Sequence, residues 1–220
     1  MAMHLHELHP SVIHAPLVLL PTAATLDVMA VSAHGRVRRR ALDAAGRRLW
    51  WLGVGAAGLA GIAGMAASQE IRLEEGRARD AMWLHGIGNM GILLAGVGLA
   101  SWRSTHRATP TTALLAAGAI GAALYTAWLG GELVYTHGAG VKALPPGAPS
   151  GIADSPRLLS AQAPWRLLRD AALGLRWLLG RGGRLVARRE PLARGSATRA
   201  SEPSRVGTPG PEVAFEIRPS

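Results

Sequence analysis

Residues 3–29 read MHLHELHPSVIHAPLVLLPTAATLDVM, and this stretch decides the fold class. From Ser11 to Ala33 it carries an apolar run that meets the roughly 20 helical residues needed to cross a hydrocarbon core. Yet His4, His6, His9 and His14 stand before the run or inside it. The run lacks the marks of a cleaved signal peptide. No basic segment precedes it, its apolar core exceeds the usual ~7–15 residues, and no small-residue cleavage site closes it. It is therefore expected to stay as a first membrane span.

Three more runs of that length follow, at about Leu49–Ala67, Ala81–Trp102 and Thr111–Tyr135. Composition agrees: 49% of the 220 residues are hydrophobic, 17% are charged, and the mean hydropathy is +0.18. The expected fold class is all-α, a four-helix transmembrane bundle. Trp50, Trp51, Trp83, Trp102 and Tyr135 fall near the ends of the runs, where amphipathic rings favour the headgroup level. The stretch GVGAAGLAGIAGMAA, residues 53–67, spaces Ala57 and Gly61, then Ala60 and Gly64, four apart. Small residues so placed let helices approach closely, as dispersion contacts within lipid require.

Loop charge sets the expected orientation. Residues 34–48, HGRVRRRALDAAGRR, hold six arginines and one acid, and residues 103–110, RSTHRATP, hold two arginines and no acid. Both are expected on the cytoplasmic side. Residues 68–80, SQEIRLEEGRARD, balance three arginines with four acids and fall outside by alternation, as do both termini.

That orientation gathers ionisable groups at one side. His14 enters the first span, His85 enters the third within MWLHGIGNM, and Glu132 and His137 close the fourth. Such groups are costly in lipid and turn towards a bundle interior or a wet cavity. His85 and Asn89 share a helix face, and so do Tyr125, Trp128, Glu132 and Tyr135. A polar pocket follows as the expectation. Imidazoles from different helices suit axial ligation of haem iron, with His14, His85 and His137 as cofactor ligands. His9, His14, His85, Glu132 and His137 suit a transition metal instead. Asn89, Tyr135, Gly130 and Gly131 would support the pocket. The cofactor-free alternative is an interhelical hydrogen-bond cluster. There is no cysteine, so disulfides, thiolate metal sites and covalent haem attachment are excluded.

The remaining polar residues receive plainer readings. His4, His6, His34 and His106 are expected in solvent, and His9, held extended before Pro10, at the start of the helix. Asp27 faces away from His14 and is expected to pair with Arg47 or Arg48, while Pro21 is expected to kink the first span. Gly130 and Gly131 allow close backbone approach, and Gly138 and Gly140 favour a turn that stops the last span beside His137.

HPSVIHAPLVLL at residues 9–20, LHGIGN at 84–89 and LGGELVYTHGAGV at 129–141 together resemble an uncharacterised bacterial membrane-protein family, domain of unknown function 2231. The resemblance covers roughly residues 5–142. It maps onto His9, Pro10, His14, His85, Asn89, Gly130, Gly131, Val134, Tyr135, His137, Gly138, Gly140 and Val141. Ala15 stands where relatives commonly carry an aromatic residue. The resemblance implies a four-span module of the bacterial cytoplasmic membrane with no assigned activity. It also implies Rieske-type or cytochrome-type redox partners, since some relatives are joined to such domains.

After this membrane domain, residues 1–142, composition changes. Residues 143–156, ALPPGAPSGIADSP, read as a linker. Residues 157–190 contain a basic amphipathic segment, with Leu167, Leu168, Ala171, Leu175, Leu178 and Leu179 in one sector. Arg166, Arg169, Asp170, Arg176 and Arg181 lie opposite, so the segment is expected to lie on a membrane surface, with a partner helix as the competing use. Residues 191–220 are expected to be disordered. The sequence pI near 11.6 does not point to nucleic acid, because no groove-reading motif is present.

Three functions remain, in this order: a haem- or metal-binding module for membrane electron transfer, a cofactor-free structural subunit, and a small transporter. No nucleophile elbow, P-loop or HExxH pattern supports enzyme chemistry. Oligomeric state is left open.

Overall fold

A computed structural model describes residues 3–73, 76–141, 150–152 and 155–193. The chain opens with a 3-10 turn, Leu5–Glu7, and a short helix α1, Leu8–Val12, that leads into α2, His14–Ser32. Helices α3, Arg36–Glu70, α4, Gly76–Thr105, and α5, Pro110–Tyr135, follow, joined by short connections. The segment Leu5–Ser32 and these three helices are each long and apolar enough to cross a membrane. Short strands β1, Ile71–Leu73, and β2, Ser150–Ile152, pair antiparallel with Ile71 opposite Ile152. Helix α6, Ala163–Val186, completes an otherwise all-α architecture.

The helices run past the apolar stretches that announce them. The arginine-rich segment expected as the first loop is helical from Arg36 onward. Arginine, alanine and leucine are good helix formers, and the break falls at Gly35, whose φ of 91° few other residues adopt. α2 likewise continues through Pro21. At the other end of the membrane domain, Gly138 takes a φ of 64°, and the amides of Gly138 and Ala139 donate back to the carbonyls of Val134 and Leu133. These bonds satisfy acceptors that the end of α5 would leave bare.

Small residues set the packing distance. A Cβ on Gly53 would lie 2.6 Å from Leu20 Cδ2, and one on Gly88 would lie 2.7 Å from Thr126 Cγ2. Of the spaced pairs expected in α3, Ala60 is buried and Gly64 abuts the His9 ring, whereas Gly61 faces open space. The apolar core gathers Ala23, Ala24, Trp50, Val54, Ala100 and Ala116, with Leu20, Leu93 and Ile120 against it.

Trp50 and Trp83 depart from the interfacial positions expected of them. Both are buried, Trp50 Nε1 donating to Asp27 Oδ2 at 2.9 Å and Trp83 Nε1 to the Leu178 carbonyl at 2.9 Å. A buried indole needs such an acceptor, and helix rotation supplies one in each case. Trp51 and Trp102 stay exposed.

α6 serves as a partner helix. Ala163, Ala171, Gly174 and Leu178 are buried against α3 and α4, and so are Asp170 and Arg181, which were expected on the polar face. Arg181 explains the shift: it pairs with Asp80 of α4 and with Glu190. Arg184 donates to Glu190 at 2.6 Å and holds that carboxyl below its usual range. Most of the expected linker and the tail from residue 194 lie outside the described residues, so the expectation of disorder falls there too.

Candidate functional site

The bundle has two polar ends. The start of α1, the end of α3, the start of α4 and the end of α5 form the histidine end; the opposite one is the arginine end.

At the histidine end two pairs of imidazoles come together among the described residues: His4 and His6 on the N-terminal turn, with ring centroids 6.0 Å apart, and His9 and His85 from separate helices, 6.2 Å apart with planes at 84°. His14, expected beside His85, is exposed and makes no hydrogen bond or ring contact among the described residues. The reason is helical phase. His9 lies five residues before His14, about 140° round the helix at 100° per residue, so the face that brings His9 inward leaves His14 looking out.

Each ring is anchored in the same way. His9 Nδ1 donates to the Ala60 carbonyl at 2.9 Å, and His85 Nδ1 donates to the Thr126 carbonyl at 2.7 Å. A carbonyl only accepts, so Nδ1 carries a proton in both rings, and in the neutral ring Nε2 then presents a lone pair. Glycine makes room for both. A Cβ on Gly64 would lie 2.9 Å from His9 Cε1, and one on Gly130 would lie 2.9 Å from His85 Cε1.

Asn89 completes the setting of His85. Its amide donates to the His85 carbonyl at 2.8 Å and its Oδ1 accepts from Thr126 Oγ1 at 3.1 Å. The amide nitrogen also stands 3.4 and 3.3 Å from the two ring nitrogens, so Asn89 is the nearest polar side chain to His85 Nε2 among the described residues.

Other residues expected in the pocket lie elsewhere. Tyr125, Trp128 and Tyr135 are 59%, 59% and 92% exposed, so the shared face on α5 looks out of the bundle. Thr126, Leu129 and Leu133 face inward instead. Gly131 meets only Tyr135. Glu132 is half-buried with no side-chain hydrogen bond among the described residues, and His137 is half-buried on the turn at Gly138. Among the described residues, no three of the acids and histidines come together as a metal-binding set.

Nearer the terminus, His6 is buried rather than solvated. His6 Nδ1 lies 2.8 Å from Ser155 Oγ, His4 Nδ1 lies 2.8 Å from the Ser155 carbonyl, and Ser155 Oγ donates to buried Glu70 at 2.6 Å. Chain beyond the fourth span folds back to supply these partners, which neighbouring sequence could not reveal.

The family described as Predicted membrane protein (DUF2231) matches residues 5–143. The chain belongs to the DUF2231 family. No curated protein and no solved structure matches it. The DUF2231 portion contains His9, His85, Asn89, Gly64, Gly130 and Thr126, while Ser155 and α6 lie beyond it. The family description and the four long apolar helices agree in making this DUF2231 chain a predicted membrane protein.

The arginine end carries a cluster that sequence reasoning paired differently. Asp27, expected opposite Arg47 or Arg48, is held by Arg103: Nε donates to Oδ2 at 2.9 Å and Nη2 to Oδ1 at 2.8 Å. The same Nη2 donates to Asp43 Oδ1 at 2.8 Å, and Arg47 instead approaches Asp43 Oδ2 at 3.7 Å. Arg103 Nη1 reaches the His106 carbonyl. Asp27 and Arg103 are fully buried. A lone aspartate in an apolar span was the available signal that some other helix must deliver a cation.

Proposed function

We propose that this DUF2231 domain holds one redox-active metal centre between His9 and His85, with haem iron as the first form to test. The observation that carries the reading is the pair of imidazoles on separate helices, each fixed through Nδ1 to a main-chain carbonyl. That is how metal-binding histidines are oriented by their surroundings. Imidazole–metal bonds are about 2 Å long, so a metal held between two Nε2 atoms sets ring centres roughly 6 Å apart. The ring centres of His9 and His85 stand 6.2 Å apart, wide enough for one such centre. Haem needs only two protein ligands, because its macrocycle supplies the rest; zinc in a closed site would need four. When bound, such a centre supplies one-electron chemistry, and the chain's part is to orient the two ligands and exclude water.

The test is an optical spectrum, oxidised and reduced, of the full chain purified in detergent after expression with ample haem, beside a metal assay. A stoichiometric b-type spectrum is expected, lost in His9→Ala and His85→Ala and retained in His14→Ala. Protein free of both haem and metal would sink this reading. It would leave the pair as polar packing that ties α1 to α3 and α4 to α5, the role of a structural subunit.

The domain sits in the bacterial cytoplasmic membrane with the arginine end inward. Arg36, Arg38, Arg39, Arg40, Arg48 and Arg107 are all exposed at that end, which is the bias that orients short loops. The chain has no cysteine, so single cysteines report sidedness directly. In intact cells an impermeant maleimide is expected to label Ser11→Cys and to miss Arg38→Cys. The reverse pattern would invert the topology.

A further inference from the structure

The arginine end holds a cavity of about 350 Å³ lined by Arg36, Arg39, Arg40, Asp43 and Arg107. The four arginine side chains make no ion pair or hydrogen bond among the described residues. Asp43 offsets at most one of these four charges, and it is also held by Arg103, the Ala108 amide and Arg47. The cavity is therefore electropositive. It also lies at the start of α3, where Gly35 offers no side-chain cap and the first-turn amides add partial positive charge.

A second cavity, of about 710 Å³, shares a lining residue with the first. Its walls come from α4 and α5, among them Ala95, Gly98, Leu99, Thr111 and Leu115, and they are overwhelmingly apolar. Arg107 lines both cavities. A guanidinium cluster matches the oxygens of a phosphate, and an apolar groove running from it along two spans matches a hydrocarbon chain. A free phosphate would fill the first cavity and leave the groove without a role.

We propose that this end is a specific site for one anionic phospholipid. Its phosphate sits among Arg36, Arg39, Arg40 and Arg107, and one acyl chain lies in the groove between α4 and α5. Basic pockets at the cytoplasmic ends of spans recognise such headgroups, and an apolar groove adds selectivity for the whole lipid.

The test is native mass spectrometry of the full chain in detergent, titrated with phosphatidylglycerol, phosphatidylcholine or glycerol phosphate. A single phosphatidylglycerol adduct is expected, favoured over phosphatidylcholine by about tenfold or more. The double variant Arg40→Gln, Arg107→Gln should lose that preference. Both side chains are exposed, and retained helicity by circular dichroism confirms that the fold survives. Gly98→Leu fills the groove at a position where an added Cβ meets nothing within 4 Å, and it should weaken the phosphatidylglycerol adduct without touching an arginine. Equal retention of the two lipids, or an unchanged preference in the arginine variant, overturns the proposal. Binding of glycerol phosphate as strong as that of the lipid, with Gly98→Leu silent, overturns it in favour of a free-anion site.

Discussion

Arg103→Met is expected to lower the stability of the bundle by about 3–5 kcal/mol, the usual cost of removing one partner from a buried ion cluster. Arg103 is fully buried and serves two carboxylates, Asp27 from α2 and Asp43 from α3. Among the described residues, its loss leaves Asp27 with the Trp50 indole as its one side-chain donor. Asp43 keeps the Ala108 amide and the distant Arg47. Gly46 is what makes room for the carboxylate, since a Cβ there would lie 2.6 Å from Asp27 Oδ1. Unfolding of the purified protein in detergent measures the change. Asp27→Asn added to Arg103→Met should recover part of it, because a neutral amide is cheaper to bury than an unpaired charge. A single variant as stable as the parent would show that the cluster contributes little to the fold.

Gly174→Leu is expected to detach α6 from the bundle. A Cβ at this position would run into the Met65 carbonyl oxygen, with the carbonyl carbon at 2.8 Å and Cα at 3.0 Å. Those are main-chain atoms of α3, and they cannot swing aside as a side chain can. Overpacking commonly costs about 1–3 kcal/mol, and a rigid obstacle puts this case at the upper end. Released, α6 uncovers Ala171 and Leu178 and breaks the Arg181–Asp80 pair. Trypsin provides the measurement, since Arg166, Arg169 and Arg176 all lie on this helix. Cleavage there should accelerate by about tenfold or more while the four spans stay intact, if opening governs the rate. Gly183→Ala is the matched control. Its Cβ meets nothing within 4 Å, so alanine should strengthen the helix by about 0.5–1 kcal/mol. Equal protection in the two variants would show that the α3 contact does not hold α6.

Both predictions rest on contacts between helices, and those were the least legible features of the sequence. The four spans were legible because each is an uninterrupted run of apolar residues, and a backbone in lipid must satisfy its hydrogen bonds within the helix. The gathering of histidines at one end was equally legible, because antiparallel spans fix which ends lie together. Their pairing was not. A helical wheel relates residues within one helix: it separates His9 from His14, five residues on, but does not say which of the two another helix will meet. The shared face of Tyr125, Trp128 and Tyr135 was read correctly as a face, but amphipathic rings satisfy either a wet pocket or a membrane surface.

The sequence by itself determined that the chain is an all-α membrane protein of four spans, with cationic charge at one end of the bundle and imidazoles at the other. Length, hydropathy and charge are sums over neighbouring residues, so they need no knowledge of distant contacts. Tertiary structure alone decided that His9 meets His85, that Arg103 rather than Arg47 neutralises Asp27, and that Ser155 and α6 return to cover the histidine end. Each outcome depends on how one helix is rotated and offset against another. Side-chain volume and hydrogen-bond geometry set those quantities across the whole bundle at once.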